Sequence, residues 1–210
     1  MDGGSGDWGG QLGHGDEQDQ LLPKKVEALA GRRVVAVSAG GYHTLALTAD
    51  GAVWSWGDGG FGPLGHGNEQ TQLLPKKVEA LAGRRVVAVS AGCLHNLAIT
   101  TDGAVWSWGY GRFGQLGHGD EQRQLLPKKI EALAGQRVVA LSAGDGHSLA
   151  ITGDGAAWSW GSGGDGQLGH RDRERQLEPK KIEVWASRPP TPASSDGEDS
   201  SDGEDSDSDE

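Results

Sequence analysis

Three histidines, His43, His95 and His147, recur at intervals of 52 residues in one sequence frame, and imidazoles brought together by a fold could ligate zinc. A second set, His14, His66, His118 and His170, keeps the same interval. Ser, His and Asp side chains could also serve nucleophilic catalysis. Here, however, each occurs in repeated copies, whereas a catalytic constellation is normally singular, and the chain has no strand–turn–helix nucleophile elbow. Its glycines lack the Gly-Lys-Ser/Thr ending of a phosphate-binding loop. No catalytic residue, bound metal or cofactor is expected, and each imidazole of the first set is expected to hydrogen-bond backbone within its own unit.

Residues that differ between near-identical units are better candidates for recognition. Around the first histidines, Gly41, Tyr42 and Thr44 become Cys93, Leu94 and Asn96, then Asp145, Gly146 and Ser148. After the Trp-Ser-Trp-Gly segment, Asp58, Gly60 and Phe61 become Tyr110, Arg112 and Phe113, then Ser162, Gly164 and Asp165. Loops carried on a rigid scaffold are where binding residues concentrate, so both clusters are candidate protein contacts; unselected drift in exposed turns is the competing reading.

The scaffold must itself repeat. Trp-Ser-Trp-Gly returns at Trp54, Trp106 and Trp158, and blocks 14–65, 66–117 and 118–169 align without gaps, the first two differing at ten of 52 positions. Such regularity predicts tandem structural units. Residues 1–13 and 170–187 read as partial repeats. Gln11-Leu12-Gly13 matches Gln115-Leu116-Gly117 without a preceding Trp-Ser-Trp-Gly, so the chain is expected either to assemble with itself or to be a fragment.

Four strands are predicted per unit. Lys24 to Ala28 follows Pro23, which marks an edge, with a short helix at Glu27 to Ala30 as the alternative. Val34 to Ser38 is a β-branched run without alternation, as expected of a strand covered on both sides. His43 to Thr48 and Ala52 to Trp56 form a hairpin whose Asp50-Gly51 supplies the positive φ of its turn. With a period of two, Ala52, Trp54 and Trp56 share one face, which needs a neighbouring sheet to cover it. Radial stacking meets that need, so the fold class is all-β: propeller blades of 52-residue period, about three and a half in number.

Charge and composition narrow the partners. The net charge is −11, but residues 194–210 hold nine acids and no base, leaving −2 for residues 1–193. A nearly neutral body offers no clustered positive face, so nucleic acid is not expected as a direct partner. The pairs Lys24-Lys25, Lys76-Lys77, Lys128-Lys129 and Lys180-Lys181, with Arg32-Arg33 and Arg84-Arg85, read as a solvated mixed-charge surface, with an acidic partner or nucleic acid as the alternative. A lone Cys93 excludes an internal disulfide, and no apolar run approaches the length of a membrane helix. Residence in cytoplasm or nucleus is expected. Residues 188–210 contain Ser, Asp, Glu and Gly with almost no apolar side chain and are expected to be disordered. Ser195, Ser201 and Ser206 each precede an acid by three positions, a pattern acidophilic kinases accept.

The repeated Ala39-Gly40, His43, Asp50-Gly51, Trp56-Gly57, Gly62 and Leu64-Gly65, echoed at Gly92/His95, Trp108/Gly114, Gly144/His147 and Trp160/Gly166, closely resemble the regulator of chromosome condensation repeat. That resemblance covers residues 11–184 and implies a seven-bladed β-propeller family whose members bind proteins. It further implies two sharper roles: nucleotide exchange on a Ran-like small GTPase, or substrate recruitment in a ubiquitin-ligase system. No insertion interrupts the 52-residue period, so the exchange wedge of the founding member has no counterpart. A UV-B-sensing branch of the family would place its Trp at positions that hold Gly41, Cys93 and Asp145 here, which argues against photoreception. The reading adopted is a non-catalytic protein-interaction module that contacts its partner through the variable turns, with self-association to complete a ring as a further expectation.

Overall fold

The computed structural model describes residues 9–183. Twelve strands form three four-stranded antiparallel sheets, ordered β1-β2-β3-β4, β5-β6-β7-β8 and β9-β10-β11-β12 from the axis outward. The first sheet contains β1 (Val34–Ala39), β2 (His43–Thr48), β3 (Val53–Gly57) and β4 (Gln72–Lys77). The second contains β5 (Val86–Ala91), β6 (His95–Thr100), β7 (Val105–Gly109) and β8 (Gln124–Lys129); the third contains β9 (Val138–Ala143), β10 (His147–Thr152), β11 (Ala157–Gly161) and β12 (Gln176–Lys181). These are the expected blades.

The hairpin is present as predicted. His43 pairs with Gly57 and Leu47 with Val53, and Gly51 takes φ +83° while its N–H donates to the Thr48 carbonyl. The Thr48 hydroxyl caps the turn by donating to Asp50 Oδ1, and the same device returns at Thr100/Asp102 and Thr152/Asp154.

Three expectations are corrected. Lys24 to Ala28 is not the first strand of its sheet: Glu27–Leu29 is a turn of 3-10 helix, the alternative reading. One repeat on, only Lys76 and Lys77 of the matching Lys76 to Ala80 lie in a strand, and they end β4, the fourth strand of the preceding sheet, which pairs with β3. Pro75 is tolerated because this strand is outermost, with no further ladder for a proline to interrupt. The segment Lys180 to Val184 reads in the sequence as a lone strand beyond three whole blades, whereas Gln176–Lys181 is the outer strand of the third sheet. Finally, Val34–Ala39 is not covered on both sides: Val35 is 53% and Val37 69% exposed. As the innermost strand it faces the axis, where β1 neighbours β5 and β5 neighbours β9. Expectations for residues 188–210, including Ser195, Ser201 and Ser206, lie outside the described residues.

Adjacent sheets are locked face to face. Leu45, Leu47 and Val53 of the first sheet receive Trp108 and Trp106 of the second. Leu97, Ile99 and Val105 of the second receive Trp160 and Trp158 of the third. Trp108 and Trp160 are fully buried. Each such indole removes roughly 150–250 Å² from water, about 4–6 kcal/mol of transfer free energy before ordering costs.

Candidate partner-binding face

Each blade presents two loops at the same end of its strands, and one backbone bond zips them together. Asp58 N–H donates to the Tyr42 carbonyl at 2.9 Å, Tyr110 N–H to Leu94 at 2.9 Å and Ser162 N–H to Gly146 at 2.8 Å. The bond requires close approach at the glycine ending β3. In the second blade the equivalent Gly109 has φ +104°, and a Cβ there would lie 2.5 Å from the Leu94 carbonyl oxygen. Neighbouring blades are laced at the same level: Gly41 N–H points at the Cys93 carbonyl (3.1 Å) and Cys93 N–H at that of Gly144 (3.1 Å). Both variable clusters therefore lie on one face, although they are separated by some fifteen residues of chain.

Aromatic side chains span two blades on this face. Phe61 meets Tyr110 edge-to-face at 5.3 Å, Tyr110 meets Phe113 at 6.0 Å, and the Arg175 guanidinium lies 5.7 Å from the Phe113 ring centre. Phe113 is 38% exposed; Phe61, Tyr110, Tyr42 and Leu94 are half-buried. Arg112, Asp145 and Asp165 are exposed, as is Gly41, while Asp58 is half-buried and folds back to accept the Gly60 N–H. Burial, followed by the neighbouring Asp145, pushes the Cys93 thiol up, so it stays neutral.

Three of the sequence candidates belong elsewhere. Asn96 and Ser148 are fully buried, and Thr44 is half-buried. They form junctions between blades. His43 Nε2 donates to Asn96 Oδ1 at 2.7 Å, and Asn96 Nδ2 donates to the Pro63 carbonyl at 2.6 Å, which also accepts Trp108 Nε1–H at 2.8 Å. At the next junction His95 Nε2 donates to Ser148 Oγ (2.9 Å), and Ser148 Oγ and Trp160 Nε1 both donate to the Gln115 carbonyl. Thr44 and Trp56 converge on the Gln11 carbonyl in the same way. The histidines thus bond the neighbouring blade's side chain rather than backbone of their own unit. The accepting carbonyls of Gln11, Pro63 and Gln115 carry no sequence signal, because a backbone acceptor leaves no residue preference.

These bonds fix protonation. Asn96 Oδ1 can only accept, and Ser148 spends its proton on Gln115, so His43 and His95 carry hydrogen on Nε2 and are neutral. Burial lowers both pKa values, that of His95 to about 3. In the second set, Ser55 and Ser107 are fully buried and donate to the Leu64 and Leu116 carbonyls while His66 and His118 bond them. Burial, with Lys76 and Lys128 adding to it, brings His66 and His118 to about 4. Among the described residues no three His, Cys, Asp or Glu side chains converge as metal ligands.

Radially stacked four-stranded sheets, each presenting a tryptophan face to its predecessor, define a repeat-built β-propeller. The chain belongs to the RCC1-like domain family, whose pattern matches residues 3–196. It is 44% identical over 168 residues to human E3 ubiquitin-protein ligase HERC2, covering 77% of this chain and 4% of that protein. It is 43% identical over 180 residues to the Arabidopsis thaliana ultraviolet-B receptor UVR8, covering 83% of this chain and 41% of that one. Among solved structures, Saccharomyces cerevisiae Prp20p superimposes with a TM-score of 0.73 at 24% identity, over 84% of this chain and 45% of Prp20p. The chain thus spans less than half the length of each of these proteins.

Proposed function

We propose that the chain is a non-catalytic protein-binding module that docks its partner on the face carrying Tyr42, Phe61, Leu94, Tyr110, Phe113 and Asp145. One observation carries this reading: the backbone bonds between paired loops gather the residues that differ between repeats onto one face, apart from Thr44, Asn96 and Ser148, which serve the junctions beneath it. Aromatic side chains beside arginine and acid make up the kind of surface from which interface anchors are drawn. A small GTPase of the Ran type is the first partner to test, since Prp20p, whose fold the chain shares, binds Gsp1p and histones. Nucleotide exchange on such a GTPase is the alternative, and substrate recruitment to a ubiquitin ligase, suggested by the HERC2 relative, is a lesser one. The test is binding and nucleotide release with a Ran-like GTPase. Binding without faster release supports the module, faster release supports exchange, and absence of both removes the GTPase.

A second reading, association with another copy, is supported by the face of the third sheet. There Leu149, Ile151 and Ala157 occupy the places that receive tryptophans at both internal junctions, and Ile151 is 46% exposed. Light scattering tests it: a mass above the 21.9 kDa of one chain supports association, and a monomer at high concentration removes it.

A further inference from the structure

The opposite end of the strands, where the Asp-Gly turns lie, has a different character. Arg32 and Arg33 precede β1, Arg84 and Arg85 precede β5, and Arg137 precedes β9; all five are exposed. Arg32 and Arg84 stack on Trp54 and Trp106 at 4.1 and 4.5 Å, which holds their guanidinium groups in place. No acidic side chain among the described residues pairs with any of the five, whereas the lysines nearby are spent on Glu27, Glu79 and Glu131. Of the other acids at this end, Asp50, Asp102 and Asp154 are held by their own turns through a threonine hydroxyl and a backbone N–H, and Glu183 is exposed where the chain leaves the third sheet. Crevices of about 270 and 250 Å³ open between the sheets at this end, one edged by Lys77, Arg84 and Arg85 beside Asp50, the other by Lys129 and Arg137 beside Asp102.

The chain leaves the third sheet at this same end. Ile182 N–H donates to the Ala157 carbonyl at 2.8 Å, the counterpart of the Val78–Val53 and Ile130–Val105 bonds that lead into Arg84-Arg85 and Arg137. Beyond residue 183 come 27 residues, nine of them acids within 194–210 and none of those 17 a base. At about 3.3–3.6 Å per residue their reach approaches ~90 Å, against a spacing of about 10 Å between stacked sheets.

We infer that the acidic segment 194–210 docks in cis on this arginine rim. The segment offers nine acids to five arginines that no described acid pairs with, and it is tethered at the rim's edge, which raises its effective concentration over that of any free polyanion. The contact is electrostatic and multivalent, without a fixed register. Phosphorylation of Ser195, Ser201 or Ser206 would add about −1.5 to −2 charges each and tighten it. The tail then screens the rim from polyanionic partners while leaving the aromatic face free, so the inference does not depend on the partner-binding reading.

The experiment compares backbone amide spectra of the full chain with those of a full-length variant whose nine tail acids are replaced by Asn and Gln. Shift differences are expected at residues 32–33, 84–85 and 137, unchanged on tenfold dilution. They should vanish by 1 M NaCl, where the screening length falls to about 3 Å from about 10 Å at 0.1 M. In the Arg84→Gln/Arg85→Gln/Arg137→Gln chain, whose substitutions are all at exposed positions, neutralising the tail should shift these amides at least threefold less. Absence of differences at the arginines, differences spread evenly over both faces, or differences that fade on dilution and so report a second copy would each overturn the inference. Amide dispersion equal to the parent's verifies that each variant is folded.

Discussion

The imidazole Nε2 of His43 in the first sheet lies 2.7 Å from the amide oxygen of Asn96 in the second, and both side chains are fully buried. A residue that varies between repeats is here one half of a junction, with Ser148 in the same role one blade on. Replacing Asn96 by Leu should leave the His43 N–H unpaired in the interior and destabilise the chain by about 1–3 kcal/mol. Asn96→Ser, which copies the next junction, should cost less than half as much. Chemical denaturation of the two variants checks the ordering.

The same junctions predict acid sensitivity in a defined window. Burial holds His95 at about 3 and His66 and His118 at about 4, below the ordinary 6.5. Groups with depressed folded values are charged in the unfolded chain first, so their stabilisation is present above pH 6.5 and is lost as pH falls toward 3–4. Buried His95 alone should withdraw roughly 1–2 kcal/mol by pH 5, with smaller contributions from the half-exposed His66 and His118. Denaturation midpoints measured from pH 7.5 to 4.5 should fall steadily. His95→Gln should flatten the slope even though it lowers the midpoint at neutral pH.

Gly109 closes the zipper between the two loops of the second blade. Its φ of +104° and the 2.5 Å separation between the Leu94 oxygen and a methyl group placed on its Cα leave no room for a side chain. Gly109→Ala should cost about 2–3 kcal/mol. The exposed turn glycine Gly135 also has positive φ but meets nothing within 4 Å, so Gly135→Ala should cost about 1 kcal/mol. Thermal unfolding of the pair separates steric closure from backbone strain.

Much of this architecture is legible in the sequence, and the exceptions have physical causes. The 52-residue period, the Asp-Gly hairpins and the shared tryptophan face follow from local chemistry, and the structure contains all three. The fourth strand escapes a reading by pattern because the predicted strand, Lys24 to Ala28 and its repeats, overlaps Gln72–Lys77 only at Lys76 and Lys77, and nothing local shows which sheet that segment joins. Asn96 and Ser148 resemble surface-turn residues for a related reason. They sit one residue after a histidine at a strand start, and only the neighbouring blade reveals that this position points into the junction.

On the face itself, Tyr110 touches both Phe61 and Phe113 and is the centre of the aromatic row. Tyr110→Ala should weaken partner binding at least tenfold while changing stability by less than about 1.5 kcal/mol, because the ring is half-buried against neighbours that are themselves exposed or half-buried. Tyr110→Phe should retain most of the affinity if the ring, rather than its hydroxyl, makes the contact. Calorimetric titration with the bound partner distinguishes the two.

The most direct test of the docking face is the affinity of a Ran-like GTPase, measured in parallel for the full chain, the Tyr110→Ala/Phe113→Ala variant and the Arg84→Gln/Arg85→Gln variant. Binding by the parent, at least tenfold weaker binding by the aromatic variant and no loss in the arginine variant is the predicted result. Equal affinity for parent and aromatic variant, or loss confined to the arginine variant, would contradict it.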